Sequence, residues 1–174
     1  MNIEIAIRNA CRELKKNKIS SALLDSELLL SKVIKKDRKF ILLNLDRKLN
    51  QNDQDSFKDL ILERLKGKPV AHLIGFKSFW NYNFKVNEKV LIPRPETEII
   101  VEQVLKIYKN KDNLNFLEVG VGSGCISISI LKEKKSFLAT GIDLSQDCIK
   151  ICRFNANKLG VNNRIKLIKS DVDN

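Results

Sequence analysis

The feature that most constrains the fold of this chain is a glycine-rich turn set between an apolar run and a helical pattern. Glu118-Val119-Gly120-Val121-Gly122-Ser123-Gly124 closes the run Asn115–Val119 and opens a helical stretch over Ser123–Lys132. A second apolar run follows over Phe137–Ile142, then a helical stretch over Gln146–Leu159 and a third run over Arg164–Lys169. Strands alternating with helices of this length predict parallel βαβ units with right-handed crossovers. Because the runs are apolar almost throughout, they also predict a sheet covered on both faces.

Glycines at a strand-to-helix junction allow a sharp turn and let a ligand approach main-chain atoms that a Cβ would block. Asp143 follows Gly120 by 23 positions and ends the second strand. There an acid can accept hydrogen bonds from both ribose hydroxyls of an adenosine-containing ligand. In the dinucleotide fingerprint G-x-G-x-x-G the third glycine falls on Cys125, and no lysine follows as in a phosphate-binding loop. A loop with no pyrophosphate to cradle suits S-adenosylmethionine, whose sulfonium is cationic.

Upstream the pattern is different. Ile3, Ile7, Ala10, Cys11 and Leu14 share one helical face. A second helix capped by Ser20 or Ser21 carries Leu24, Leu28 and Val33, and Asp37 can cap a short third one through Leu43. A fourth runs from about Asp53 with Phe57, Leu60, Ile61 and Leu65 inward, stopping at Gly67 before Pro69. Residues 1–68 therefore read as a small helical bundle. Residues 69–95 read as a hairpin and linker, with Phe79, Trp80, Tyr82, Phe84 and Val86 crowded before the stiff Leu91-Ile92-Pro93-Arg94-Pro95 loop. The helix from Glu98 to Tyr108 and the βαβ pattern make residues 96–174 the third part, so the fold class is α/β with a helical N-terminal domain.

Charge and cysteines bound the remaining options. The chain of 174 residues holds 32 Lys+Arg against 21 Asp+Glu, a net charge of +11. That balance is compatible with a nucleic-acid partner but does not require one, since it divides into +6 over residues 1–68 and +5 over 69–174. No run approaches the roughly 18 apolar residues of a membrane span, and Met1–Lys16 lacks the apolar core of a signal peptide, so a cytoplasmic protein is expected. Cys11, Cys125, Cys148 and Cys152 form no C-x-x-C pair and His72 stands alone, which argues against a metal site. Cys148 and Cys152 share a helical face and should pack as small apolar groups.

The segment FLEVGVGSGCISISI resembles the first motif of class I S-adenosylmethionine-dependent methyltransferases, whose domain is Rossmann-like. LIPRPETE together with GKPVAHLIGFKSFW, and SALLDSELLL in the helical part, resembles more narrowly the release-factor glutamine methyltransferases of the HemK/PrmC type. The resemblance implies S-adenosyl-L-methionine as donor and the glutamine amide nitrogen in the Gly-Gly-Gln motif of class 1 peptide-chain release factors as acceptor. It implies that Gly120, Val121, Gly122, Ser123 and Gly124 line the methionine part of the cofactor and that Asp143 holds the ribose. Asp171 and Val172 would flank the adenine, Arg94 would lie near the mouth of the site, and the helical domain would help grip the release factor.

The resemblance also has a gap. Its members carry an Asn-Pro-Pro-Tyr tetrapeptide after a fourth strand, whereas the prolines here are Pro69, Pro93 and Pro95. In the family those side-chain and backbone acceptors aim a poorly nucleophilic amide nitrogen, so their role is positioning and electrostatics. The expectation is an N-terminal portion truncated after the third strand, inactive alone, with an unpaired edge at that strand and no catalytic residue of its own. Two other functions fit the residues. One is a glutamine or base N-methyltransferase acting on a ribosomal protein or nucleic acid. The other is a non-catalytic binding module. One chain suffices to bury the helical faces, so a monomer is expected.

Overall fold

The computed structural model describes residues 1–171, so Val172 lies outside the described residues. Two compact units are present, Met1–Ile74 and Gly75–Asn174. Residues 69–95 are shared between them, a short helix going with the first and a hairpin with the second. No helix among the described residues is long and apolar enough to cross a membrane.

The first unit is all helical: α1 (Ile3–Lys16), α2 (Ala22–Ile34), α3 (Arg38–Leu43), α4 (Gln51–Leu65) and α5 (Val70–Ile74). Polar caps set the starts. Asn2 accepts from the Ile5 N–H, Asp37 from Phe40 and Asn50 from Asp53, at 2.9, 2.7 and 2.7 Å. α4 thus begins two residues before Asp53, because Asn50 is the capping side chain. Ser21 precedes α2 but makes no cap bond, since its hydroxyl donates to Asp25 at 3.0 Å. Asp25 is 1% exposed and is balanced by the Arg64 Nε–H at 2.8 Å, an ion pair joining α2 to α4. Around it Ile3, Leu14, Leu29, Leu30 and Ile41 are fully buried.

The second unit opens with an antiparallel hairpin, β1 (Phe76–Phe79) and β2 (Tyr82–Lys85), turning at Trp80-Asn81. Phe79 and Phe84 pack edge to face with centroids 6.1 Å apart. Trp80 takes a left-handed φ of +54°, a conformation that costs a bulky residue energy. Its surroundings hold it there: its N–H donates to Glu98 at 2.8 Å, and its indole N–H and the Tyr82 hydroxyl donate to Glu133 at 2.9 and 3.1 Å. Glu98 opens α6 (Glu98–Ile107), after a 3-10 turn over Pro95–Thr97 that ends the proline loop.

Next come β3 (Asn115–Val119), α7 (Cys125–Glu133), β4 (Leu138–Asp143), α8 (Gln146–Lys158) and β5 (Ile165–Lys169). The three strands are parallel in the order β3-β4-β5, a Rossmann-like βαβαβ unit. α7 and α8 pack against each other and against β4, with Ile128, Leu131, Phe137, Ile149 and Cys152 in the core between them and the sheet. Cys152 packs as a small apolar group in this core, whereas Cys148, also buried, lies outside it and donates its thiol to the Lys89 carbonyl at 3.5 Å, so the expectation that both pack as apolar groups holds for Cys152 alone.

The expectation of a sheet covered on both faces does not hold among the described residues. Leu117, Val119 and Leu138 are 57%, 56% and 47% exposed. Two successive right-handed crossovers running in the same direction place both helices on one face. The opposite face, with Leu117 and Val119, therefore stays open. β3 also lacks a neighbour on its outer edge among the described residues, so an open edge lies at the first strand as well as the third.

Candidate functional site

The carboxyl ends of the three parallel strands meet at one place, where ligands bind in open α/β sheets. After β3 the chain turns back over the sheet, and the N–H groups of Gly120 and Val121 both donate to the Ile142 carbonyl, at 2.8 and 2.9 Å. The Gly122 N–H then donates to Asp143 Oδ2 at 2.9 Å. Asp143 Oδ1 accepts from the Ser145 N–H at 2.9 Å, and the Asp143 carbonyl accepts from Ser170 at 3.2 Å. Asp143 thus ties together the glycine turn, the entry to α8 and the end of β5. Each carboxylate oxygen keeps lone-pair capacity for a further donor.

The glycines are present for two different reasons. Gly120 has φ +76° and no atom within 4 Å of where a Cβ would sit, so the backbone conformation alone demands glycine and leaves an open cradle above the turn. Gly124 has φ +79°, and a Cβ there would lie 2.5 Å from Cys152 Sγ and 2.7 Å from Ile128 Cδ1. It lets α7 start flush against α8.

The site residues drawn from the sequence separate by position. Gly120, Gly122 and Asp143 face the strand ends with some exposure, whereas Val121, Ser123 and Gly124 are buried. The Val121 side chain fills the space left by Gly141, whose Cβ would approach Val121 Cγ2 to 2.9 Å. Val121 and Ser123 can therefore offer a ligand main-chain groups only. Asp171 is exposed one residue past Ser170, near Asp143 in the chain trace. Arg94 is exposed, and its side chain makes no hydrogen bond or ion pair among the described residues. Val90, four residues earlier, would touch a Gly122 Cβ at 3.7 Å, so the segment leading into the proline loop passes beside the turn.

Two further residues shape the site. Glu118, the last acid before the turn, accepts from the Ser127 N–H at 3.0 Å and from the Ser127 hydroxyl. Burial pushes its carboxyl up to about 7, an effect opposed by the Ser127 bonds and reinforced by the Asp143 charge. Asn155 is fully buried on α8. It accepts from the Lys85 N–H at 2.7 Å and donates to the carbonyls of Lys85 and Ser123 at 3.1 and 2.9 Å, which uses both of its N–H donors. The sequence carries a signal for it: a polar residue in register with Cys148, Ile151 and Cys152 on the apolar stripe of α8.

Residues 6–75 match a family model described as the PrmC N-terminal domain. Over that stretch the chain is similar to this domain family. Over 161 residues it is 41% identical to the release factor glutamine methyltransferase of Leptospira interrogans serogroup Icterohaemorrhagiae serovar Lai, covering 91% of this chain and 56% of that protein. It is 39% identical over 140 residues to the release factor glutamine methyltransferase of Coxiella burnetii, covering 80% of this chain and 50% of that one. A bifunctional methyltransferase of Rickettsia conorii is 34% identical over 194 residues, covering 98% of this chain and 37% of its own length. The chain thus spans about half the length of the release factor glutamine methyltransferases it matches. Among solved structures, a SAM-dependent methyltransferase from Geobacter sulfurreducens in complex with S-adenosyl-L-homocysteine aligns with 26% identity and a TM-score of 0.38, over 45% of this chain and 30% of that one.

Proposed function

We propose that this chain binds S-adenosyl-L-methionine at the carboxyl ends of β3 to β5, as the cofactor-binding part of a protein-glutamine N-methyltransferase. Its substrate is the glutamine amide of the Gly-Gly-Gln motif in class 1 release factors, and it works as a cytoplasmic monomer. The observation that carries the reading is the glycine turn held against Asp143 by the Gly122 N–H, in a chain 41% identical to a release factor glutamine methyltransferase.

The residues fit such a cofactor. Gly120 leaves an open cradle where any side chain would stand, and main-chain groups of the turn would line the methionine portion. The spare lone pairs of Asp143 would take the ribose hydroxyls, and the stretch at Asp171 and Val172 would flank the adenine. When bound, the cofactor supplies an electrophilic methyl group on a sulfonium. The chain's own part is to bind and orient: Asp143 fixes the turn, Asn155 holds the Ser123 carbonyl, and Arg94 stands free for the substrate side. No Asn-Pro-Pro-Tyr tetrapeptide occurs in these 174 residues. By themselves they should bind cofactor without transferring methyl.

Calorimetric titration of the chain with S-adenosyl-L-homocysteine tests the proposal. Saturable binding that Asp143→Asn weakens at least about tenfold is expected, because an amide NH₂ would face one of the two N–H donors. A folded chain that shows no binding would sink it. Incubation with donor and a release factor, followed by mass spectrometry of the Gly-Gly-Gln peptide, should show no methylation. Methylated glutamine would overturn the inactivity of the chain alone.

A further inference from the structure

We infer that a groove in the helical unit, formed by α1, α2 and the end of α3, docks an acidic amphipathic helix of a protein partner. The groove holds about 800 Å³. Its floor is apolar, with Ile7 and Cys11 from α1 beside Leu23, Leu42 and Leu45. Those leucines are 52%, 45% and 38% exposed, so large apolar side chains face solvent together where a partner's side chains could cover them.

The rim above that floor is basic. Arg8, Arg12 and Lys15 fall at i, i+4 and i+7 of α1, one line along the helix. All three are exposed, and none forms an ion pair among the described residues. No acid at the groove is in ion-pair contact with them among the described residues. Glu27 is buried and bonded by Arg38 Nε at 2.6 Å, and Glu4 sits in the first turn of α1, where the helix dipole favours it. Lys16 is already paired with Glu13 at 3.0 Å.

A line of free cations beside an apolar trough is the complement of a helix with carboxylates at i, i+4 and i+7 flanking a leucine-type stripe. Phosphates of a nucleic acid would satisfy the cations but leave the leucines in water, so the apolar floor favours a protein partner. The groove lies wholly within the first unit, and the inference therefore stands apart from the cofactor reading.

The test is fluorescence anisotropy on the full chain with three labelled probes. One is an amphipathic helical peptide of about 18 residues with a leucine stripe and flanking glutamates, long enough to hold a helix. The second carries lysines in place of the glutamates, and the third is a single-stranded RNA. Preferential binding of the acidic peptide is expected. It should weaken at least about tenfold in Arg8→Glu/Arg12→Glu and again in Leu42→Asp, while Arg8→Lys/Arg12→Lys stays within about threefold. All of these positions are exposed, and an unchanged melting temperature will show that the fold is intact. Equal binding of the basic peptide, preference for RNA, or indifference to the charge reversal would each overturn the inference.

Discussion

The side-chain amide of Asn155 donates to the Ser123 carbonyl at 2.9 Å while its other atoms grip both polar groups of Lys85. One buried residue thus braces the glycine turn and the β1–β2 hairpin together. The hairpin's own ladder joins β1 to β2 only, so the tie to the glycine turn rests on this side chain.

Removing that brace should be costly. Asn155→Ala leaves one N–H and two carbonyls unpaired in the interior, and a loss of about 2–4 kcal/mol is expected. Asn155→Asp should fare little better, because a carboxylate accepts but cannot donate to the two carbonyls. Urea denaturation of the three proteins decides the point; a loss under about 0.5 kcal/mol would show that the amide is not bracing anything.

The two reasons for glycine in the turn predict different responses to alanine. Gly120→Ala meets only the backbone cost of its φ of +76°, about 1 kcal/mol. Gly124→Ala adds a collision with Cys152 Sγ and Ile128 Cδ1, at 2.5 and 2.7 Å from the new carbon, and should cost about 1–3 kcal/mol more. Adding Cys152→Ala should recover part of the difference at position 124 and none at position 120. Equal melting temperatures for the two single variants would contradict this division.

Glu118 gives the fold a pH dependence of defined sign. An acid whose carboxyl is pushed up to about 7 holds its proton more tightly in the folded state than in the unfolded chain, where the value is near 4.5. Its contribution is therefore intact at low pH and declines as pH rises from about 4.5 through 7, by about 3 kcal/mol at most. Glu118→Gln removes the ionisation and should flatten the stability profile over that window while raising stability at pH 8. Parallel profiles for the two proteins, measured by chemical denaturation at several pH values, would rule out this role.

The uncovered sheet face makes a prediction of its own. Leu117 is 57% exposed, so Leu117→Lys should change stability by no more than about 0.5 kcal/mol. It should also lower self-association, since it puts charge on an apolar face next to an open strand edge. Light scattering against concentration and a denaturation midpoint give both numbers. A large loss of stability would mean that the leucine is covered in solution.

Much of this protein was legible before any coordinates. The βαβαβ order, the glycine turn at the first strand end and Asp143 at the second follow from local pattern, because apolar periodicity and backbone freedom are properties of short stretches. Asp37 as the cap of α3 was readable for the same reason. Other features depend on atoms far apart in the chain. That Asp143 first binds the Gly122 N–H, that Val121 sinks into the gap at Gly141, and that Trp80 is held in a left-handed turn by Glu98 and Glu133 could not be read locally. The coverage of the sheet belongs to this second group. Apolar strands ask to be buried on both faces, but the handedness of the crossovers sends α7 and α8 to the same side, and only the assembled topology shows Leu117 and Val119 left in the open.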